Sequence, residues 1–398
     1  MEWKELQTLV KRKIGYGIVQ PGPSVQKGVP IIKVNNIISG LYDTKHLDKT
    51  TVENDAKYQR TKLKGGELIV TVVGTCGKTA IVPPQFVGCN LVRATCLIDI
   101  EDETICRWIK YYIDSPQGQA YINRNLNTTV QATLNVKNLN EKPIPFYSKE
   151  YTSNVVKILS SLDRKIELNN KINADLEEMA QAIFKNWFVD FEPFKDGKFV
   201  DSELGMIPEG WKVGTLGDIT KNKSAKVKER NDVKVLSPVT TGELVLSEEY
   251  FTKQVFSSSI AKYKIVNKGD FAYNPARVNI GSLGRNEFDF DGCVSPVYVV
   301  FSVLDGYENY FDLFRKTDFF KDSVASLAIG GVRQSLSYDD LSSIEVIIPS
   351  ENAVEEFNNL YNQMKKTIKA NKLESSRLSL LRDTLLPRLM SGELEVPE

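Results

Sequence analysis

Apolar residues recur in two long segments with alternating steps of three and four positions, over about 150–190 and 351–391. The two segments match position for position at an offset of 202. The matched positions are Val155, Leu159, Leu162, Ile166, Asn169, Leu176 and Ile183, against Phe357, Tyr361, Met364, Ile368, Asn371, Leu378 and Leu385. A 3-4 spacing over four to five heptads predicts the seams of a coiled coil. Two amphipathic helices, each packed on its own domain, are the alternative. The polar seam residues Asn169 and Asn371 would fix register and orientation.

The duplication extends beyond the helices. VQATLNVKNLNEKPI (130–144) matches VRQSLSYDDLSSIEV (332–346) at offset 202, and LKGGELIV matches NKGDFAYN at offset 203. IIKVNNI matches LSPVTTG at offset 205, and Trp3-Lys4 matches Trp211-Lys212 at offset 208. Short strand-like runs interleave with helical patches, which predicts an α+β fold. We expect globular regions at 1–148 and 193–350, the latter including a linker, with long helices in 149–192 and 351–398. Antiparallel helices would give the repeats a pseudo-two-fold axis.

Composition narrows the possible chemistry. The 398 residues include 51 basic and 51 acidic residues, so binding to polyanions through bulk charge is excluded. The five Cys and one His lack metal-site spacing, so we expect free thiols, no metal and a cytoplasmic location. Residues 1–148 nevertheless carry a net charge of +6, from 19 basic and 13 acidic residues. The basic stretch KNKSAKVKERNDVK (221–234) is either a phosphate-binding stripe or a solvated loop.

Three features that suggest catalysis fail on inspection. GTCGKT (74–79) lacks the first glycine of a P-loop, and TAIVPPQF after it cannot form the required helix. YNPAR (273–277) lacks the second proline and the aromatic residue of the turn with which amino-methyltransferases grip a base. His46 lies in a polar, turn-rich stretch and is expected to be a surface residue. We therefore predict no catalytic residues.

Side chains that could contact DNA lie in polar loops. Arg and Lys suit guanine, whereas Asn and Gln suit adenine; ordinary turn formation is the alternative role for many of them. The candidates are Asn35, Asn36, Lys78, Arg124, Asn127 and Gln131 in the first half, and Lys226, Lys228, Arg230, Thr240, Thr241, Arg277, Asn279, Arg333 and Gln334 in the second.

The chain resembles the specificity subunits of type I restriction-modification enzymes. The resemblance rests on the tandem duplication, on the junction SELGMIPEGWKVGTLGDI (202–219) and on the ending LRDTLLPRLMSGELEV (381–396). It implies two target recognition domains that each read half of a bipartite double-stranded DNA site. It also implies two adenine methyltransferase partners that bind S-adenosylmethionine, and restriction subunits that use ATP and Mg. The chain itself would bind no cofactor, and its two dissimilar repeats would read a non-palindromic target.

Several alternatives stay open at this point. The chain could serve modification only, could hold an unrecognised nuclease or methyltransferase site, or could be a purely structural scaffold. Two apolar clusters lie at equivalent helix ends, and they either pack on the recognition domains or dock partner subunits. They are Phe184, Trp187 and Phe188 in the first helix, and Leu385, Leu386, Leu389 and Met390 in the second.

Overall fold

The structure is a computed structural model that describes residues 1–38, 47–128, 131–251, 253–327 and 335–396. His46, Arg333 and Gln334 lie outside the described residues. The chain divides into two compact units. Unit 1 comprises Met1–Asn170 with Lys372–Glu398, and unit 2 comprises Lys171–Asn371. Each unit therefore contains one globular region and a part of each long helix, whereas the predicted linear boundaries treat the helices as separate segments.

The globular region of unit 1 consists of short strands and short helices. The strands are β1 (Glu2–Glu5), β2 (Gly15–Tyr16), β3 (Val29–Ile32), β4 (Lys49–Thr50), β5 (Leu68–Thr71), β6 (Thr79–Ile81), β7 (Asn90–Leu91), β8 (Thr95–Ile98), β9 (Leu126–Asn127), β10 (Thr133–Leu134) and β11 (Pro143–Phe146). The helices are α1 (Val34–Ile38), α2 (Val52–Ala56), α3 (Glu103–Asp114), α4 (Pro116–Arg124) and α5 (Val136–Asn140). The long helix α6 (Lys149–Phe188) follows.

The globular region of unit 2 begins with a hairpin and then repeats the order of the main sheet strands. The strands are β12 (Phe199–Ser202), β13 (Gly205–Pro208), β14 (Lys212–Thr215), β15 (Thr220–Lys223), β16 (Lys234–Pro238), β17 (Leu244–Leu246), β18 (Lys264–Val266), β19 (Phe271–Tyr273), β20 (Leu283–Arg285), β21 (Gly292–Val294), β22 (Val299–Val303) and β23 (Glu345–Ile348). The helices are α7 (Leu216–Ile219), α8 (Ser247–Tyr250), α9 (Glu308–Phe314), α10 (Asp318–Leu327), α11 (Tyr338–Ser342) and the long α12 (Glu351–Met390).

The two globular regions share one sheet topology. A four-stranded sheet has the order β2-β8-β5-β6 in unit 1 and β15-β22-β19-β20 in unit 2. In a second sheet β3 pairs parallel with β7 and antiparallel with β4, as β16 does with β21 and β17. Unit 2 adds β18 to this sheet. The α+β fold and the repeat organisation predicted from the sequence are thus confirmed.

The proposed match of Trp3 with Trp211 is wrong by two positions. Glu5 pairs with Pro143 on β1, and Thr215 pairs with Glu345 on β14, which sets the offset of the first strand at 210 rather than 208. Trp3 is accordingly 50% exposed whereas Trp211 is 6% exposed. Trp3 lies within β1, whereas Trp211 precedes β14 and packs in the core of unit 2, so the shared residue type does not mark equivalent positions.

The 3-4 positions of α6 and α12 carry the side chains that face the partner helix. Leu159, Asn169 and Tyr361 are buried, and Leu162, Ile166, Leu176, Met364, Ile368, Asn371 and Leu378 are half-buried. In unit 1 the Asn169 amide donates to Glu374 Oε2 over 2.8 Å, and Tyr151, nearer the start of α6, donates to the Leu389 carbonyl. In unit 2 the Asn371 amide donates to Asn173 Oδ1 over 2.9 Å. Earlier residues of α6 meet later residues of α12, so the two segments run antiparallel within each unit.

The apolar helix ends belong to the cores. Phe184 and Phe188 lie in the core of unit 2, where the Phe188 ring centroid is 5.0 Å from those of Phe357 and Tyr310. Leu386, Leu389 and Met390 are buried in the core of unit 1, and Trp187 and Leu385 are partly buried against these cores. Of the two roles left open by the sequence, the structure favours packing onto the globular regions. Within the described residues, no helix is both long and apolar enough to cross a bilayer.

Candidate nucleic-acid interface

The connection between β5 and β6 forms a tight turn against helix α4. Gly74 and Gly77 adopt φ values of +77° and +82°, which other residues rarely adopt. The side-chain amide of Gln119 donates to the Gly77 carbonyl over 2.9 Å, and a Cβ on Gly77 would lie 2.9 Å from Ile122 Cδ1. Strand β6 follows directly, so the segment GTCGKT is a turn between strands, as the sequence predicts. Lys78 is exposed beside this turn.

The same turn contacts the segment that follows α4. The Gly74 amide donates to the Ala132 carbonyl over 2.8 Å, and a Cβ on Gly74 would lie 3.1 Å from Gln131 Nε2. Asn127 pairs with Thr133 in the β9–β10 hairpin, which joins this segment. The residues of the turn (72–78) and of the following segment (124–128 and 131–133) are called loop cluster 1. The structure therefore gathers four of the predicted residues here, all of them exposed: Lys78, Arg124, Asn127 and Gln131.

Asn35 and Asn36 do not belong to loop cluster 1, because they follow a strand of the second sheet of unit 1. They belong to α1, which follows β3, and the Asn36 side chain accepts a hydrogen bond from the Lys33 amide over 2.8 Å. This hydrogen bond to the main chain next to α1 is a local structural role, which is the alternative to a base contact for this asparagine. Residues 39–46, which follow α1, lie outside the described residues.

Unit 2 places an equivalent loop at the same point of its fold. The β19–β20 connection (274–282) contains Arg277 and Asn279, and it packs on the β16–β17 turn (239–243), which contains Thr240 and Thr241. A Cβ on Gly281 would lie 2.7 Å from the Thr240 carbonyl oxygen, which shows how closely the two loops approach. These two loops are called loop cluster 2. The segments GTCGKT and YNPAR, each rejected as a catalytic motif, are thus equivalent connections in the two repeats.

Three cations of these clusters are available for an outside partner. Among the described residues, no hydrogen bond or ion pair engages the side chains of Lys78, Arg124 or Arg277. Asn and Gln beside exposed Lys and Arg combine base-edge and phosphate chemistry on one surface. Each loop cluster can therefore contact a nucleic acid without breaking an internal ion pair.

The basic stretch 221–234 is less available for contact with phosphate groups. The Arg230 guanidinium contacts Asp232 Oδ2 at 2.6 Å and Asp291 Oδ2 at 3.1 Å. The hydrogen bond from Arg230 lowers the pKa of Asp232 to about 2. Two carboxylates balance the charge of this arginine, so its predicted phosphate contact loses its main support. Lys226 and Lys228 are exposed on the same stretch, and their role stays a prediction.

The interior holds a residue that the sequence analysis does not single out. Arg315 donates to the Gly242 carbonyl in the β16–β17 turn over 3.1 Å and to the carbonyl of Leu283, the first residue of β20, over 2.7 Å. In the described parts of the chain, no group of three or more His, Cys, Asp or Glu side chains could hold a metal ion.

Comparison with known proteins gives consistent matches. Residues 21–178 match the family model described as the type I restriction modification DNA specificity domain. The type I restriction enzyme MjaIX specificity subunit of Methanocaldococcus jannaschii is 27% identical over 310 residues, which cover 75% of this chain and 71% of that protein. The EcoBI specificity subunit of Escherichia coli is 30% identical over 197 residues, which cover 47% of this chain and 41% of that protein.

The fold also matches a solved structure. The crystal structure of the type I restriction-modification system S subunit from M. genitalium aligns over 100% of this chain and 97% of that chain, with a TM-score of 0.55 and 14% identity. At this identity the match concerns the fold alone.

Proposed function

Since the chain belongs to the family of type I restriction-modification DNA specificity subunits, we propose that it reads a bipartite, asymmetric double-stranded DNA sequence and catalyses no reaction itself. Each unit reads one half of the site through its loop cluster. The observation that carries this proposal is the duplication of one topology with different side chains on equivalent loops. On the equivalent β5–β6 and β19–β20 connections, unit 1 presents Lys78 and unit 2 presents Arg277. The β3–β4 connection contains Asn35 and Asn36, where the equivalent β16–β17 turn contains Thr240 and Thr241. Different donors and acceptors select different bases, so the target is not a palindrome.

The catalytic steps belong to partner subunits in this proposal. Two adenine methyltransferase subunits bind the chain and use S-adenosylmethionine, and translocating restriction subunits use ATP and Mg. The free cations of the loop clusters are few, and segment 193–350 carries a net charge of −3, from 19 basic and 22 acidic residues. Because phosphate neutralisation supplies much of the affinity for DNA, the methyltransferase subunits add affinity by closing around the duplex.

The test measures methyl transfer with purified components. We expect no incorporation of the labelled methyl group of S-adenosylmethionine when DNA is incubated with this chain alone. With its methyltransferase subunits added, incorporation occurs only on DNA that carries the target. Methylation or cleavage by the chain alone would contradict the non-catalytic role. A modification-only role differs in one readout, since unmodified target DNA would then survive in cells that contain the complete system.

A further inference from the structure

Two cations lie close to the loop clusters. Lys110 belongs to α3 in unit 1, and Arg315 directly follows the last residue of α9 in unit 2. Both side chains are largely buried, with exposed fractions of 20% and 9%. A buried cation needs partners that offset its desolvation, and here those partners lead to the loop clusters.

In unit 2 the contact with the loops is direct. The Arg315 guanidinium is held by Asp312 Oδ1 at 2.6 Å, and that carboxylate is only 6% exposed. The remaining donors reach the carbonyls of Leu283 at 2.7 Å and Gly242 at 3.1 Å. Gly242 has φ +83°, and a Cβ there would lie 3.0 Å from Arg315 Nη1. One rigid, planar group therefore fixes the main chain of the β16–β17 turn and that of the residue directly after the β19–β20 connection.

In unit 1 the contact passes through one carboxylate. Lys110 Nζ lies 3.0 Å from Asp114 Oδ2, and the hydroxyl of Thr79 donates to Asp114 Oδ1 over 2.6 Å. Thr79 is the first residue of β6, immediately after Lys78, and Leu283 is the first residue of the equivalent β20. The two arrangements use different chemistry, but both end at the strand residue that follows the loop.

We propose that Arg315, and Lys110 acting through Asp114, are positioning residues that hold the loop clusters in the conformation that selects the bases of each half-site. The inference rests on the proposed function. Neither cation contacts DNA, since both lie largely inside the protein and point to main-chain or carboxylate oxygens. They act through hydrogen-bond geometry, because a base-edge contact tolerates little displacement of the loop that presents it.

The test replaces the chromosomal gene of the chain with variant alleles and maps methylated motifs in the host genome. Arg315→Lys retains the charge opposite Asp312 and loses the fork that spans two carbonyls. Thr79→Val retains the shape of the side chain and loses the hydrogen bond to Asp114. Arg377→Lys and Thr367→Val are the matched controls, since both side chains are exposed on α12.

Each variant is expected to relax one half-site only. For Arg315→Lys, methylation at sites with a mismatch in the unit 2 half rises about tenfold, as loss of a well-oriented base contact implies, while the unit 1 half is unchanged. Thr79→Val gives the reciprocal result. The midpoint of thermal unfolding of each purified variant falls by about 2–4 °C, because each variant loses buried hydrogen bonds, while the other half-site keeps its selectivity. An equal loss at both half-sites would show a purely structural role and overturn the inference, as would unchanged selectivity. Absence of any bipartite motif with the wild-type allele would instead refute the proposed function.

Discussion

Lys142 is a charged side chain in the core of unit 1, and its replacement is predicted to stabilise the protein. The residue is 0% exposed, and its ammonium donates to the Gly118 carbonyl over 3.2 Å. It also lies 4.4 Å from the ring centroid of Tyr121 and 4.8 Å from that of Tyr112. Burial lowers the pKa of Lys142 from 10.5 to about 8. The equivalent residue in unit 2 is Ile344, so the fold accepts an apolar side chain at this position.

The size of the effect follows from the pKa. A fall of that size on folding corresponds to about 3 kcal/mol against the charged form at pH 7, at about 1.4 kcal/mol per pH unit. The two ring faces and the hydrogen bond offset about 1–2 kcal/mol of this cost. Lys142→Met keeps the approximate length of the side chain, and it removes both the cost of burying the charge and the favourable contacts of the ammonium. We therefore expect the free energy of unfolding at pH 7 to rise by about 1–2 kcal/mol.

The dependence on pH has a definite sign. Between about pH 8 and pH 10.5 the unfolded lysine keeps its proton whereas the folded one loses it, so the stability of the wild type rises with pH in this window. The advantage of Lys142→Met is therefore greatest below pH 8 and shrinks as the pH approaches 10. Burial raises the pKa of Tyr112 and that of Tyr121 above their ordinary value, which favours the neutral phenol of each.

Urea unfolding followed by tryptophan fluorescence, at about pH 7 and about pH 9.5, measures both quantities. Lys137→Met is the matched control, since this lysine side chain is 75% exposed on the neighbouring helix α5, and it should leave stability unchanged. A Lys142→Met protein less stable than the wild type at pH 7 would refute the reasoning. A gain that does not vary with pH would show that the cost does not come from the charge.

Three further predictions test the cores and the loop clusters. Phe357→Ala removes a 1% exposed ring from the aromatic core of unit 2 and should lower the free energy of unfolding in urea by about 3–5 kcal/mol. Leu360→Ala, at a position that is 44% exposed, should lower it far less. Equal losses in the two variants would contradict the packing of Phe357 in the core. Burial raises the pKa of Asp163, but the neighbouring ammonium and guanidinium outweigh it and lower that pKa. The stability that Asp163 contributes is thus present above pH 3.8 and lost as the pH falls below it, so Asp163→Asn should be less stable at pH 7 with a flatter acid titration, and an unchanged curve would be evidence against the ion pairs. Lys78→Ala and Arg277→Ala should weaken DNA binding by the assembled complex and relax different half-sites, and relaxation of the same half-site by both would contradict the assignment.

Periodicity and duplication carried most of the fold prediction. A 3-4 spacing is a local property of the chain, so the helix seams and their matched asparagines could be read directly from the sequence. The pairing of those asparagines could not, because Asn173, which accepts from Asn371, also occupies the seam and is 6% exposed. Which asparagine of α6 pairs with Asn371 depends on how the two helices, distant in sequence, pack against each other.

The candidate site was harder to predict. Exposed loop residues such as Lys78 could be selected by residue type, but their grouping depends on tertiary contacts such as that between Gly74 and Ala132. Arg230 met the same compositional criterion and is balanced by Asp291, which lies 61 residues away in the sequence. Arg315 contacts carbonyl oxygens, which have no signature in the sequence.

The adenine methylation map of the host genome, measured with and without this gene, tests the central claim most directly. One bipartite, non-palindromic motif with a fixed spacer is expected to be methylated in the wild type and to lose its methylation on deletion. Restoring the gene should restore the same motif. A methylation map that is identical with and without the gene, in cells that produce the chain and its methyltransferase partners, would contradict a role in DNA sequence specificity.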